Sequence, residues 1–383
     1  MKKLLISLAL LISVITLPID SFAVIRKSTK RSRAKAVKAE MGVYAETLKG
    51  ETIVSNNEDR RFNPASVIKV ATSIAAMRIM GHDYRFKTTV QTDATIDSSG
   101  LLTGNLYIVS SGDPVFFTEH AFLISEKIRE AGIKAVQGDL VVTNPFYFNF
   151  SSSHAGDRLR AILERTEVED NGLTTYHYPP ITFYGNTRLE QSVKGELFTL
   201  YTHYSKPMIE ILKSMNDYSN NFIAEVIGYH LGGSDVIEKC LIDNVGLSPA
   251  EVRVVSSSGL GQNAITARAS TKMVRHLYYT LSSINKRIDE ILPVAGVDNG
   301  TLLDRFNQST IRGSVVGKTG TLAMQHVSTL VGVIYTKDKG VVLFAILNHD
   351  LVHKARIKQD EIVNQILEKC GGALPLSLVS YKR

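Results

Sequence analysis

Cysteine is nearly missing from this 383-residue chain: Cys240 and Cys370 are the only two. They fit no zinc or redox spacing. Each lies in an apolar helical pattern, which leaves two readings open, a disulfide in an oxidising compartment or two buried free thiols. The ten histidines form no HExxH pair and no evident cluster, so no metal or cofactor is expected. Long apolar runs are scarce too. Past residue 23 nothing approaches the ~20 apolar residues of a membrane-spanning helix. Acidic residues are outnumbered, 37 against 44 lysines and arginines, for a formal net charge of +7. What remains is 44% hydrophobic and 21% charged, a globular balance. The length suits two domains and a core large enough to need no staple.

Residues 1–23 read as a secretory leader. Lys2 and Lys3 precede an apolar stretch from Leu4 to Leu17, and Ser21-Phe22-Ala23 places small residues where a signal peptidase reads. The apolar stretch is too short for a good membrane anchor, and no cysteine marks a lipoprotein. An exported, periplasmic protein is the expectation. Residues 24–41 crowd Arg26, Lys27, Lys30, Arg31, Arg33, Lys35 and Lys38 into a basic, disordered arm. Weak contact with anionic lipid or wall polymer is the sharper reading of that arm. Export makes nucleic acid a poor partner.

The hydrophobic pattern then divides the chain. Val43 to Leu48 and Thr52 to Ser55 flank Lys49-Gly50 as a β-hairpin. Pro64 opens an apolar helix that ends at Gly81. From about residue 85 to 205 the texture turns to short strands, "FKTTVQT", "NLYIVSSGD" and "GDLVVTN", with one helix near Glu119 to Ala131. "SSSHAGDR" and "YHYPP" read as loops. Helical periodicity returns in "PMIEILKSMN" and "NFIAEVIGYHLGG", joined at "DYSN" and stopped by Gly232-Gly233. "STLVGVIYT" and "GVVLFAILNH" form a second hairpin, and a helix from His353 to Lys369 follows. Residues 42–84 and 206–383 are thus expected to make one discontinuous domain, with 85–205 inserted.

Three short patterns can carry chemistry. In "NPASVIKVATSIAAM", Ser66 and Lys69 share one helix face, where a neutral lysine could take the serine proton. Ser-x-x-Lys also occurs at Ser32 and Ser283. Only Ser66 sits at the mouth of an apolar helix; Ser32 is in the basic arm and Ser283 on a polar segment. The bland alternative has Ser66 capping the helix and Lys69 reaching to water. Ser219-Asn220-Asn221, at the joint of two helices, offers a hydroxyl and a carboxamide, or simply helix caps. Lys318-Thr319-Gly320-Thr321 offers a cation and two hydroxyls for a carboxylate, and Gly320 would let substrate lie against a strand; a solvated turn is the alternative.

Taken in order, Ser-x-x-Lys, Ser-x-Asn and Lys-Thr-Gly form the serine set of penicillin-binding proteins and class A β-lactamases. Class A β-lactamases keep the first two motifs much closer than Ser66 and Ser219. "FNPASVIKVATS", "LTGNLYIVSSGDP", "GIKAVQGDLVVTN", "SMNDYSNNFIAE", "LPVAGVDNGTL" and "RGSVVGKTGTL" resemble the S13 peptidases, the D-alanyl-D-alanine carboxypeptidase/endopeptidases, over about residues 42 to 350. The middle is shorter than in larger members. Two departures stand out. Ser256 replaces the acidic residue of the family's Asp-Gly-Ser-Gly-Leu, and Asn220 replaces a more usual aspartate.

The resemblance implies an α/β (α+β) fold: a transpeptidase-like domain of antiparallel sheet and helices, plus an inserted α+β domain. It implies peptidoglycan muropeptides as substrate and β-lactams as covalent inhibitors. Ser66 would be the nucleophile and Lys69 the base, its pKa depressed with help from Lys318. Ser66 and Thr321 amides would hold the oxyanion, and Ser219 would protonate the leaving amine. Asn221 would hold the substrate amide, and Lys318, Thr319 and Thr321 its terminal carboxylate. Carboxypeptidase and endopeptidase action share this site. A β-lactamase or a wall-binding protein of the same fold are the rivals.

Overall fold

The computed structural model describes residues 39–165, 167–170, 174–177, 179–193 and 195–378. The leader, most of the basic arm and residues 379–383 lie outside the described residues. The arm ends earlier than expected, because Glu40 and Met41 already pair with His349 and Asn348.

A five-stranded antiparallel sheet organises the part built from the two ends of the chain. Its order is Val315–Leu322, Val327–Thr336, Gly340–His349, Glu40–Thr47 and Thr52–Asn56. Both hairpins read from the sequence are present, with Gly50 and Gly340 at positive φ in their turns. The central strands look apolar throughout because both faces are covered. On one face Val331, Val333, Leu343 and Ala345 meet the helical layer. On the other, Leu330, Ile334, Phe344 and Ile346 meet Ile362, Val363, Ile366 and Leu367 of the helix Val352–Lys369. Alternate residues of one strand therefore serve two cores.

The helix Ile68–Ile79 lies inside the helical layer. Its residues Ile68 through Met77 are all buried, which explains apolar residues on every side of it. Around it pack Met208–Asp217, Asn221–Leu231 and Ala267–Ser283. The last is a 17-residue helix with Met273, Val274, Leu277 and Leu281 buried. Ser283 ends this helix, so the expectation of a polar segment with no apolar helix behind it is wrong. Ser283 itself is exposed and its hydroxyl donates to the Thr280 carbonyl at 2.8 Å.

Lys87–Tyr204 has its own sheet, ordered Thr187–Glu190, Leu140–Thr143, Leu106–Ser110, Lys87–Thr92 and Phe198–Tyr204. Its core of Ile108, Phe116, Ile124, Ile128, Leu140, Val142, Leu159 and Leu163 is separate from the other two. Entry and exit are strapped together: Ser205 N–H donates to the Phe86 carbonyl at 2.9 Å and Ser205 Oγ accepts from Phe86 N–H at 2.9 Å. The expected helix is Thr118–Glu130, but a second one, Ala155–Leu163, begins inside "SSSHAGDR". Serines, glycine and a left-handed His154 disguise its start, while buried Leu159, Ile162 and Leu163 hold it. "YHYPP" is not all loop either, since Tyr176 and His177 end a short strand. Both cysteines are buried and free, so the disulfide alternative falls.

His203, on the last strand of this segment, is buried, and its ring lies 4.7 Å from that of His120. Burial first, and the His120 charge second, push it down to about 4. Between about 4 and its ordinary 6.5 the unfolded chain binds a proton that the folded chain does not. Stability should therefore be full above pH 6.5 and fall as the pH drops toward 4. In thermal melts His203→Phe should flatten that acid decline; an unchanged decline would exclude His203 as its source.

Candidate active site

Ser66 sits in a 3-10 turn, Ala65–Val67, that feeds directly into the apolar helix. Its hydroxyl caps nothing, which removes the capping alternative. Ala65 holds φ +47°, a conformation costly for a residue with a Cβ. Three contacts fix this strained entry. Asn63 Oδ1 accepts from Ala65 N–H at 2.9 Å, and Thr329 Oγ1 donates to the Pro64 carbonyl at 2.7 Å. Gly259, at φ +94°, lies so close that a Cβ there would be 2.0 Å from the Ala65 carbonyl oxygen.

Lys69 is fully buried and does not reach to water. Its Nζ lies 3.0 Å from Ser66 Oγ, 2.7 Å from Asn221 Oδ1 and 2.6 Å from the Ser258 carbonyl. Burial pulls its pKa from 10.5 to about 7, against an opposing pull from Glu225. Burial, and not Lys318, is thus what depresses Lys69. The repulsion between the two lysines shows on the other partner: Lys318 is also fully buried, and burial followed by the Lys69 charge holds it well below the lysine range. Asp217 pulls the other way, and is itself raised to about 6 by its own burial.

Lys318 Nζ donates to Ser219 Oγ at 2.9 Å and to the Thr319 carbonyl at 2.7 Å. Ser219 has φ +54°, so the helix joint aims its hydroxyl from a strained backbone. Asn220 caps the second helix by accepting from Ile223 N–H at 3.0 Å. Asparagine and aspartate cap equally well, which explains why aspartate is dispensable there. The caps are therefore divided: Asn220 caps, while Ser219 and Asn221 face the lysines.

Gly320 is required for a different contact from the one expected. A Cβ on it would lie 2.3 Å from Thr329 Oγ1, 2.5 Å from the Pro64 carbonyl oxygen and 3.0 Å from Ser66 N. This close approach is between the strand and the backbone of the nucleophile. Thr319 is half-buried and Thr321 exposed. Of the eight residues singled out in the sequence, Ser66, Lys69 and Asn221 share one hydrogen-bonded cluster, Ser219 and Lys318 a second, Gly320 packs on the Ser66 amide, and Thr319 and Thr321 follow Lys318 on its strand.

The segment that departs from the family's Asp-Gly-Ser-Gly-Leu completes the site, through contacts the sequence did not reveal. Ser256–Leu260 supplies the carbonyl that holds Lys69, and Thr72 Oγ1 donates to the Ser257 carbonyl at 2.7 Å. Glu225 anchors this turn by accepting from Ser258 N–H at 3.0 Å. Ser256, where the family tends to have an acidic residue, holds the turn: its hydroxyl accepts from Gly259 N–H at 3.1 Å and donates to the Leu260 carbonyl at 2.6 Å.

A serine hydroxyl bonded to a buried lysine on its own helix, and a second buried lysine on the sheet edge bonded to another serine hydroxyl, make a serine–lysine acyl-transfer site. Comparison with known proteins gives the family. The chain matches the D-Ala-D-Ala carboxypeptidase 3 (S13) family over residues 29–154 and 180–368, and belongs to it. It is 24% identical over 365 residues to carboxypeptidase DacB of Mycolicibacterium smegmatis, covering 80% of this chain and 75% of that one. It is 29% identical over 105 residues to a D-alanyl-D-alanine carboxypeptidase of Actinomadura, spanning only 19% of that relative's length. Among solved structures, the Bd3459 predatory endopeptidase of Bdellovibrio bacteriovorus superposes with a TM-score of 0.75 at 22% identity, over 90% of this chain and 96% of that one. This likeness establishes the penicillin-binding-protein fold.

If Lys69 is the base, acylation should speed up as the pH rises through about 7, where its amine loses the proton, and level off above. Lys69→Ala should abolish acylation and keep the fold. Stopped-flow acylation across pH 5–9 checks the first, and circular dichroism with acylation the second. A pH-independent rate, or a folded variant that acylates normally, would remove Lys69 from this role.

Proposed function

We propose that the protein is an exported serine DD-peptidase of peptidoglycan. It hydrolyses D-Ala-D-Ala ends as a carboxypeptidase and D-Ala–diamino-acid cross-links as an endopeptidase, and penicillin acylates it. The observation that carries this reading is a fully buried Lys69 amine 3.0 Å from Ser66 Oγ. Family membership supports it, and so does the naming of relatives as carboxypeptidases and of a structural neighbour as a peptidoglycan endopeptidase.

Ser66 Oγ attacks the carbonyl carbon of the penultimate D-alanine while its proton passes to Lys69 Nζ. The oxyanion lies against the Ser66 and Thr321 amides; one such donor is typically worth ~2.7–4 kcal/mol. Collapse breaks the C–N bond. The leaving amine takes a proton from Ser219 Oγ, which regains one from the Lys69 ammonium, while the Lys318 amine holds the Ser219 oxygen. Asn221 orients the substrate amide, and Lys318, Thr319 and Thr321 receive the terminal carboxylate. Water then attacks the Ser66 ester and gives a proton to the now neutral Lys69, and Lys69 returns it to Ser66 Oγ as the acid leaves.

The leader and the basic arm support a periplasmic location with weak contact between arm and anionic surface. Among the described residues no helix is long and apolar enough to cross a membrane. The separate sheet and core of residues 87–204 support the reading of 85–205 as a domain inserted between 42–84 and 206–383.

Intact-protein mass spectrometry with benzylpenicillin, followed by peptide mapping, tests the proposal. A lasting adduct on Ser66 is expected. Rapid loss of penicillin without an adduct would indicate a β-lactamase. Neither adduct nor loss, from folded protein, would indicate a binding protein.

A further inference from the structure

The hydrogen bond between Lys318 and Ser219 joins two elements far apart in sequence. Lys318 is on the edge strand of the sheet, and Ser219 is in a helix joint. Neither element alone fixes the 2.9 Å between them. A third segment, Pro293–Thr301, touches both. On one side it lies along the open edge of the Lys318 strand: Gly317 N–H donates to the Pro293 carbonyl at 3.0 Å, and Ala295 N–H to the Val315 carbonyl at 2.9 Å. On the other side Thr301 N–H donates to the Asp217 carbonyl at 2.9 Å, two residues before Ser219. Gly300, at φ +117°, allows that approach; a Cβ would sit 2.1 Å from the same oxygen.

Asp298 ties the two sides together. Its Oδ2 accepts from Val294 N–H at 2.8 Å, on the strand side. The same oxygen accepts from Lys213 Nζ at 2.5 Å. Lys213 also pairs with Asp217 Oδ1 at 3.0 Å and donates to the Leu292 carbonyl at 3.1 Å. A single carboxylate oxygen thus binds the strand-side turn, the helix that leads into Ser219 and, through Lys213, the aspartate whose charge acts on Lys318.

We propose that Pro293–Thr301 is a clamp that sets the separation of Ser219 and Lys318, with Asp298 as its positioning residue. Asp298 touches no substrate and acts through Ser219. The proposal rests on the reading of Ser219 as the proton donor to the leaving amine. Losing the clamp lets the helix joint relax from its strained φ, and the hydroxyl drifts from the Lys318 amine that donates to it. A misplacement of about 1 Å costs on the order of 10²-fold in rate.

The test is a double-mutant cycle on benzylpenicillin acylation, with Asp298→Ala, Ser219→Ala and both together. Rates are measured per folded molecule, well below each melting temperature. Asp298→Ala should slow acylation at least about tenfold. Asp298→Asn, which keeps an acceptor for Val294 N–H, should lose less, and it takes the place of Asp298→Ala in the cycle if the alanine variant does not fold. In the Ser219→Ala background the Asp298 change should cost almost nothing further. Full additivity, or an unchanged rate in folded Asp298→Ala, would overturn the clamp and leave Ser219 in its role. A Ser219→Ala variant that acylates normally would overturn the role of Ser219, and the clamp with it.

Discussion

Two lysine amines buried in one site are the constraint on which the rest of this structure depends. An ammonium without a counter-charge is expensive to bury, and a second one nearby raises the cost. The protein meets this by neutralising rather than pairing. For Lys69 the fall from 10.5 to about 7 corresponds to roughly 5 kcal/mol in favour of the neutral amine. Every acceptor around Lys69 is uncharged: a serine hydroxyl, an asparagine oxygen and a backbone carbonyl. A carboxylate in their place would have held the proton on. Asp217 and Glu225 act on the lysines through space, without a direct hydrogen bond to either amine among the described contacts.

The same constraint explains where the backbone is strained. Ser219 must meet a lysine from the sheet, and Ser66 enters its helix through a turn pressed against that sheet, so Ala65 and Ser219 take positive φ angles that cost about 1–3 kcal/mol each. Glycines accept the crowding that results. Gly259 and Gly320 come within a missing side chain of the Ser66 amide, and Gly300 does the same at the Asp217 carbonyl. The sheet edge, the buried helix and the helix joint are each rigid. The site is assembled where they press together.

Much of this was readable in the sequence because it is local. Ser66 and Lys69 are three residues apart on one helix, Lys318 through Thr321 are consecutive, and the two hairpins announce themselves by glycine turns. The helix joint at "DYSN" followed from periodicity. What could not be read is tertiary. Ser258 contributes a carbonyl, a group every residue has. Glu225 looks like a surface residue of a helix, and Asp298 like a loop residue, until their partners are known. The direction of the lysine–lysine effect depends on which amine is buried deeper. The helices Ala155–Leu163 and Ala267–Ser283 were missed because their polar, glycine- or serine-rich ends outweighed a buried face.

A Lys69 amine that is about half neutral at pH 7 is the central claim, and direct titration tests it. Heteronuclear NMR of the ε-carbon and amine of labelled lysines, recorded from pH 5 to 11, would assign each pKa. The account predicts one lysine that titrates near 7 and disappears in Lys69→Ala. A Lys69 signal that titrates with the solvent-exposed lysines, above about 10, would contradict it.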